Sequence, residues 1–187
     1  MVMSYKLRVI SEPSGWQLIT HNSKLMRGLR NNNPLNIRRT ATRWLGARIE
    51  QTDKSFVQFT SMAYGYRAAW KILQSYYERF CRQGKPFTVR NIISRWAPPN
   101  ENDTEAYIIN VLKLGSLGGK EKLLPPSNAS SYGRLSRLLA AMTCIECGIR
   151  MQQVDTEAIC QGYQLAFPDN KEKLEEWLKG EDEYRDW

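Results

Sequence analysis

The chemistry available to this chain rests first on its carboxylates. Glu101 lies behind Trp96 and the rigid Pro98-Pro99 pair, beside Asn102 and Thr104, with Tyr107 one turn into the segment that follows. Beside an indole a carboxyl can keep its proton near neutrality and hand it to a leaving group. The same position has a structural use. An acid ahead of a helix N-terminus is favoured by the dipole, and Asn102 with Glu105 spells a capping box. Glu50 and Asp53 flank a turn around Gln51-Thr-Asp-Lys54 and form a second candidate pair, with simple solvation in a polar turn as the alternative. Asn31, Asn32, Asn33 and Asn36 offer donors and acceptors for hydroxyls and amides of a ligand. Asn is equally the residue that tolerates left-handed turns and closes loops on itself. Arg38, Arg39 and Arg67 suit a ligand carboxylate, or Asp53.

Four cysteines stand at Cys81, Cys144, Cys147 and Cys160. Cys144-Ile-Glu-Cys147 has the spacing of a redox or zinc half-site, but it falls inside an apolar helical run, far in sequence from His21, the single histidine. The expectation is reduced cysteines packed as small apolar side chains, with no metal, no cofactor and no structural disulfide.

These residues need elements to position them. Residues 1–26 have weak periodicity and read as an N-terminal extension. Arg27 to Arg39, dense in Asn and Arg around Pro34, reads as loop with short turns. Trp44–Ile49 and Ser55–Phe59 are short segments that pair as a small hairpin around Gln51–Lys54. After Ser61 the period changes. Tyr66, Ala69, Leu73, Tyr76, Tyr77 and Phe80 form one apolar helical stripe, in which the tyrosines read as core. Thr88 caps a short helix carrying Ile92, Ile93 and Trp96, which stops before Pro98. A third helix starts near Asn102 to Thr104, bears Tyr107, Ile108, Val111 and Leu112, and ends at Gly115. A loop over Gly115 to Ser131 follows. A helix marked by Leu135, Leu138, Leu139, Met142 and Ile145 then runs to Gly148. A shorter helix follows Asp155, and a charged one covers Lys171 to Lys179.

The fold class is mainly α (α+β), with one small β-hairpin and extra C-terminal helices. A chain of 187 residues with 42% hydrophobic content builds a real core. No apolar run is long enough to span a membrane and no secretory signal is evident, so the protein is expected in the cytoplasm until release, or in a virion.

Charge is unevenly spread. From Asp169 onward eight acids face four bases, which leaves +12 on residues 1–168 of a chain whose net charge is +8. A basic body implies a polyanionic partner, nucleic acid or anionic cell wall. The bases are scattered, however, and no nucleic-acid-binding motif accompanies them.

A resemblance narrows the field. Arg27-Gly-Leu-Arg-Asn-Asn-Asn-Pro-Leu-Asn-Ile-Arg38 is followed by Trp44-x-Gly46, Gln51-Thr-Asp53, Phe56-x-x-Phe59, Gly65-x-Arg67-Ala68 and Ile92-Ile-Ser-Arg-Trp-Ala-Pro-Pro-x-Glu-Asn-Asp-Thr-x-x-Tyr107. In this order the pieces resemble a family of phage and prophage virion-associated structural proteins with a lysozyme-like core. The family more often has Gly where this chain has Leu35. The glucosaminidase branch of lysozyme-like enzymes is similar in its Asn-rich loop, matched by Asn32–Arg38, and in its helix start, matched by Asp103-Thr-Glu-Ala-Tyr107.

The resemblance covers about eighty residues, within Arg27–Tyr107, and implies a lysozyme-like core there; the domain is expected over residues 27–168 including a C-terminal helical extension, and the charge count makes 169–187 an acidic tail. The resemblance also implies peptidoglycan as partner, other phage structural proteins as possible company, and cleavage of cell-wall glycan by a lysozyme or lytic transglycosylase with one glutamate as general acid. Glu101 is the candidate acid, with Glu50 and Asp53 as the second carboxylates. Asn32, Asn33, Asn36, Arg38, Trp96, Asn102, Thr104 and Tyr107 are the candidate substrate contacts, Trp96 as a sugar-stacking face. In the glucosaminidase branch the catalytic glutamate ends a helix just before the Asn-rich loop, whereas here the acid upstream of that loop is Glu12. A non-catalytic virion or wall-binding protein of the same fold is the alternative, and a nucleic-acid-binding protein the third reading.

Overall fold

The computed structural model describes residues 26–100 and 102–182. Among the described residues seven α-helices carry the architecture: α1 (Met26–Arg30), α2 (Met62–Arg82), α3 (Val89–Trp96), α4 (Thr104–Gly115), α5 (Tyr132–Cys147), α6 (Thr156–Ala166) and α7 (Lys171–Asp182). Their starts follow from local chemistry. Thr88 caps α3 by accepting from the Asn91 N–H, and Asp155 caps α6 by accepting from the Ala158 N–H at 2.8 Å. At α4 the cap is Asp103, accepting from the Ala106 N–H at 3.0 Å, rather than Asn102. Glu105 turns away from the expected capping box to pair with Arg90 at 2.6 Å. Gly148, at φ 63°, ends α5 in the left-handed conformation that glycine adopts without strain.

Between α1 and α2 the chain forms no sheet. Of the expected pairing of Trp44–Ile49 with Ser55–Phe59 one isolated antiparallel bridge forms, Ala47 with Phe59, and a second joins Arg38 of the preceding loop to Phe56. Side-chain amides explain the reduction, because they take the backbone groups that a ladder would use. Gln58 accepts from the N–H groups of Thr52 and Asp53, and Gln51 both donates to the Gln58 carbonyl and accepts from its N–H. Asn33 donates to the carbonyls of Ile37 and Val57 and accepts from the Ile37 N–H. The first stretch of the expected Arg27–Arg39 loop is helical, as α1.

One apolar cluster runs from Leu35 to Leu174. Helix α5 lies at its centre, with Leu135, Leu138, Leu139, Ala141, Met142 and Thr143 all buried, so that its C-terminal half is enclosed while Arg134 and Arg137 stay exposed near its start. Helix α2 buries Tyr66, Ala69 and Leu73 as the stripe requires, and adds Trp70, fully buried, which the stripe omitted. The Trp70 ring stacks on Tyr132, meets Tyr163 edge-on at 5.0 Å, and donates its N–H to the Ile159 carbonyl. That joins α2, α5 and α6 through aromatic contacts. Gly162 allows the approach. A Cβ there would sit 2.7 Å from the Tyr66 Cβ and 2.9 Å from the Ala63 carbonyl oxygen.

Candidate functional site

The Asn-rich loop is built before it can bind anything. Asn32 and Asn36 adopt positive φ, 50° and 48°, which Asn tolerates better than most residues. Asn31 donates to the Asp53 carboxylate at 2.7 Å and accepts from Gln58 at 3.2 Å. Asn32 donates to the Phe59 carbonyl, and Asn33 is engaged with Ile37 and Val57 at every polar atom of its side chain. Three of the four asparagines thus hold the loop and the segment beside it.

Asp53 belongs to that framework. Arg27 grips it through two nitrogens at 2.6 and 2.7 Å while its guanidinium lies over the Phe56 ring at 4.8 Å, and the N–H groups of Ser55 and Phe56 complete the set. Burial pushes the Asp53 carboxyl up, but Arg27, Asn31 and the two backbone donors outweigh it and hold the group well below the ordinary carboxylate range. A carboxylate so fully engaged is a clamp between α1 and the bridged segment. Glu50 stands exposed on the outside of the loop. Glu101 lies outside the described residues, as does Glu12.

The fourth asparagine leads to a site. Asn36 is buried, and its amide donates to the Glu146 carboxylate and to the Glu146 carbonyl, both at 3.1 Å. Glu146 sits in the last turn of α5 with a relative exposure of 0%. The Tyr107 hydroxyl donates to it at 3.0 Å from α4, and the Trp96 indole N–H at 3.3 Å from α3. One carboxylate therefore gathers the Asn-rich loop, α3, α4 and α5. Thr104 fixes the α3–α4 corner by donating to the Ala97 carbonyl at 2.6 Å, and Asn102 donates across it to Pro98. Arg38 is half-exposed, and Arg67 donates to the Leu165 carbonyl.

Of the expected site residues, Asn36, Trp96 and Tyr107 are thus brought together, around an acid that was not among them. Trp96 is 2% exposed and faces the interior, so its ring is no open stacking platform. Glu146 carried a signal in the sequence: it continues the Leu135, Leu139, Met142 stripe of α5, where an acid is out of place unless hydrogen-bonded partners surround it. The neighbouring thiol is inert. Burial pushes the Cys147 thiol up to about 12, and its Sγ donates to the Pro34 carbonyl. All four cysteines are free, Cys81 exposed and Cys144 buried. No group of three or more metal-ligating side chains occurs among the described residues.

No protein-family profile matches the chain. It is 32% identical over 151 residues to protein P5 of Pseudoalteromonas phage PM2, an overlap of 79% of this chain and 86% of the phage protein. The chain belongs to the family of phage protein P5. Membership in the P5 family agrees with the phage character that the Arg27–Tyr107 motifs imply. No helix among the described residues is long and apolar enough to cross a membrane.

Proposed function

We propose that this P5-family protein is a cell-wall-directed glycosidase with a lysozyme-like core, in which Glu146 supplies the general acid. The observation that carries the reading is the buried Glu146 carboxylate, aligned by Tyr107, Trp96 and Asn36. Glycosidic cleavage needs a carboxyl shielded from bulk water and fixed in direction, so that its proton goes to the leaving oxygen. A lytic transglycosylase manages with that one group, because a hydroxyl of the sugar itself attacks. Glu146 ends a helix and touches the Asn-rich loop, the placement that the glucosaminidase branch achieves with a helix directly upstream of its loop. Asp53, locked by Arg27, serves the scaffold in this reading.

A second reading is favoured by one observation, the complete burial of Glu146. A carboxylate sealed inside and hydrogen-bonded by Tyr107, Trp96 and Asn36 also serves as a polar clamp in a non-catalytic virion component. Turbidity clearing of purified peptidoglycan separates the two. The account expects clearing by the intact protein, a loss of at least about a hundredfold in Glu146→Gln, and retention in Glu101→Gln. Clearing that survives Glu146→Gln but not Glu101→Gln moves the acid to Glu101. Absence of clearing by the folded intact protein establishes the structural role.

A further inference from the structure

The segment from Arg39 to Lys54 carries a feature that the Glu146 site does not use. Ile49 is fully exposed at 106% and Leu45 is exposed at 57%, two large apolar side chains four residues apart on the outside of the molecule. Arg39, Arg43, Arg48 and Lys54 surround them in sequence, all exposed. Arg39 donates to the Asp53 carbonyl and Arg48 to the Phe59 carbonyl, so the hydrogen bonds of both guanidiniums among the described residues go to neutral oxygens. Asp53 is already committed to Arg27, which leaves Glu50 as the exposed acid of the segment.

The presentation is fixed. The Arg48 N–H donates to the Gln58 carbonyl and the Thr60 N–H to the Gly46 carbonyl, both at 2.8 Å, around the Ala47–Phe59 bridge. Gly46, at φ 76°, presses on Tyr64 so closely that a Cβ would fall 2.0 Å from its ring. The apolar side chains are therefore held outward by a braced loop.

We infer that this loop docks on an anionic lipid surface, with Ile49 and Leu45 entering the acyl boundary and the four cations engaging headgroups. Charge complementarity demands an acidic partner. Nucleic acid would use the cations and leave two protruding aliphatic side chains in water. A protein partner would need a shape-matched apolar pocket for projections that are separated and ringed by charge. A bilayer interface accepts irregular apolar projections and anionic headgroups together. With no spanning helix among the described residues, the contact is peripheral.

The test is flotation of the intact protein with phosphatidylcholine vesicles, with and without about one third phosphatidylglycerol. Binding to the anionic vesicles is expected, reduced about tenfold or more in Leu45→Ser/Ile49→Ser and also in Arg43→Gln/Lys54→Gln. These positions are exposed, and thermal unfolding of each variant verifies the fold. Absence of binding to anionic vesicles by the intact protein overturns the inference. So does unchanged binding in the Leu45→Ser/Ile49→Ser variant, or binding to duplex DNA that matches vesicle binding in strength and salt dependence.

Discussion

At the scale of single residues, two carboxylates are held by different partners. Asp53 faces a guanidinium and backbone N–H groups and is held well below its ordinary range, whereas Glu146 is met by an indole, a phenol and an amide. The Asp53 arrangement has a pH signature. Because its folded-state pKa is depressed, its contribution is fully present above the unfolded value of 3.8 and is lost as pH falls towards the folded one. Asp53→Asn is expected to cost about 2–3 kcal/mol at neutral pH. Denaturant titrations of both proteins should converge as pH drops below the ordinary carboxylate value. A gap that stays constant down to strongly acid pH would show that Asp53 is not the group responsible. The acid end of the sequence was only partly legible. Trp96 and Tyr107 stand out in one stretch and Asn36 in another, yet the point where all three meet is contributed by Glu146, 110 positions beyond Asn36. No local pattern encodes a contact of that separation.

At the scale of elements, the helices were readable because their caps and stripes are local. Thr88, Asp155 and Gly148 punctuate α3, α6 and α5 where their chemistry demands. The hairpin was not, because alternation and turn residues say nothing about side-chain amides that compete for the ladder, as Gln51, Gln58 and Asn33 do. Trp70 escaped the α2 stripe for a related reason: α6 comes to lie over it, which widens the buried face beyond one row. The contact of α2 with α6 depends on Gly162. Gly162→Ala is expected to destabilise by about 1–3 kcal/mol, since the new methyl meets backbone as well as a Cβ. Trp70→Ala should cost more, about 3–5 kcal/mol. Chemical denaturation of both variants checks the order, and a neutral Gly162→Ala would mean that the two helices are farther apart than described here.

At the scale of the whole molecule, a basic body joins one apolar core that includes Leu174 of the acidic α7. The exposed ion pairs Arg90–Glu105 and Arg134–Glu121 neutralise little of that charge and add at most about 1 kcal/mol each. The proposed function makes an anionic wall the partner of this charge, and such an attraction is screened by salt. Retention of the protein on isolated cell walls should fall steeply as ionic strength rises from about 0.05 to 0.5 M, over which the screening length shrinks severalfold. Retention indifferent to salt would locate the affinity in short-range contacts instead. Glu146 is proposed as the group with which this P5-family protein cuts wall glycan. Mass spectrometry of purified peptidoglycan incubated with the intact protein and with Glu146→Gln tests it most directly. The account predicts soluble glycan fragments with newly formed sugar ends from the intact protein and none above background from Glu146→Gln. Equal fragment yields from both, or none from a correctly folded intact protein, would contradict it.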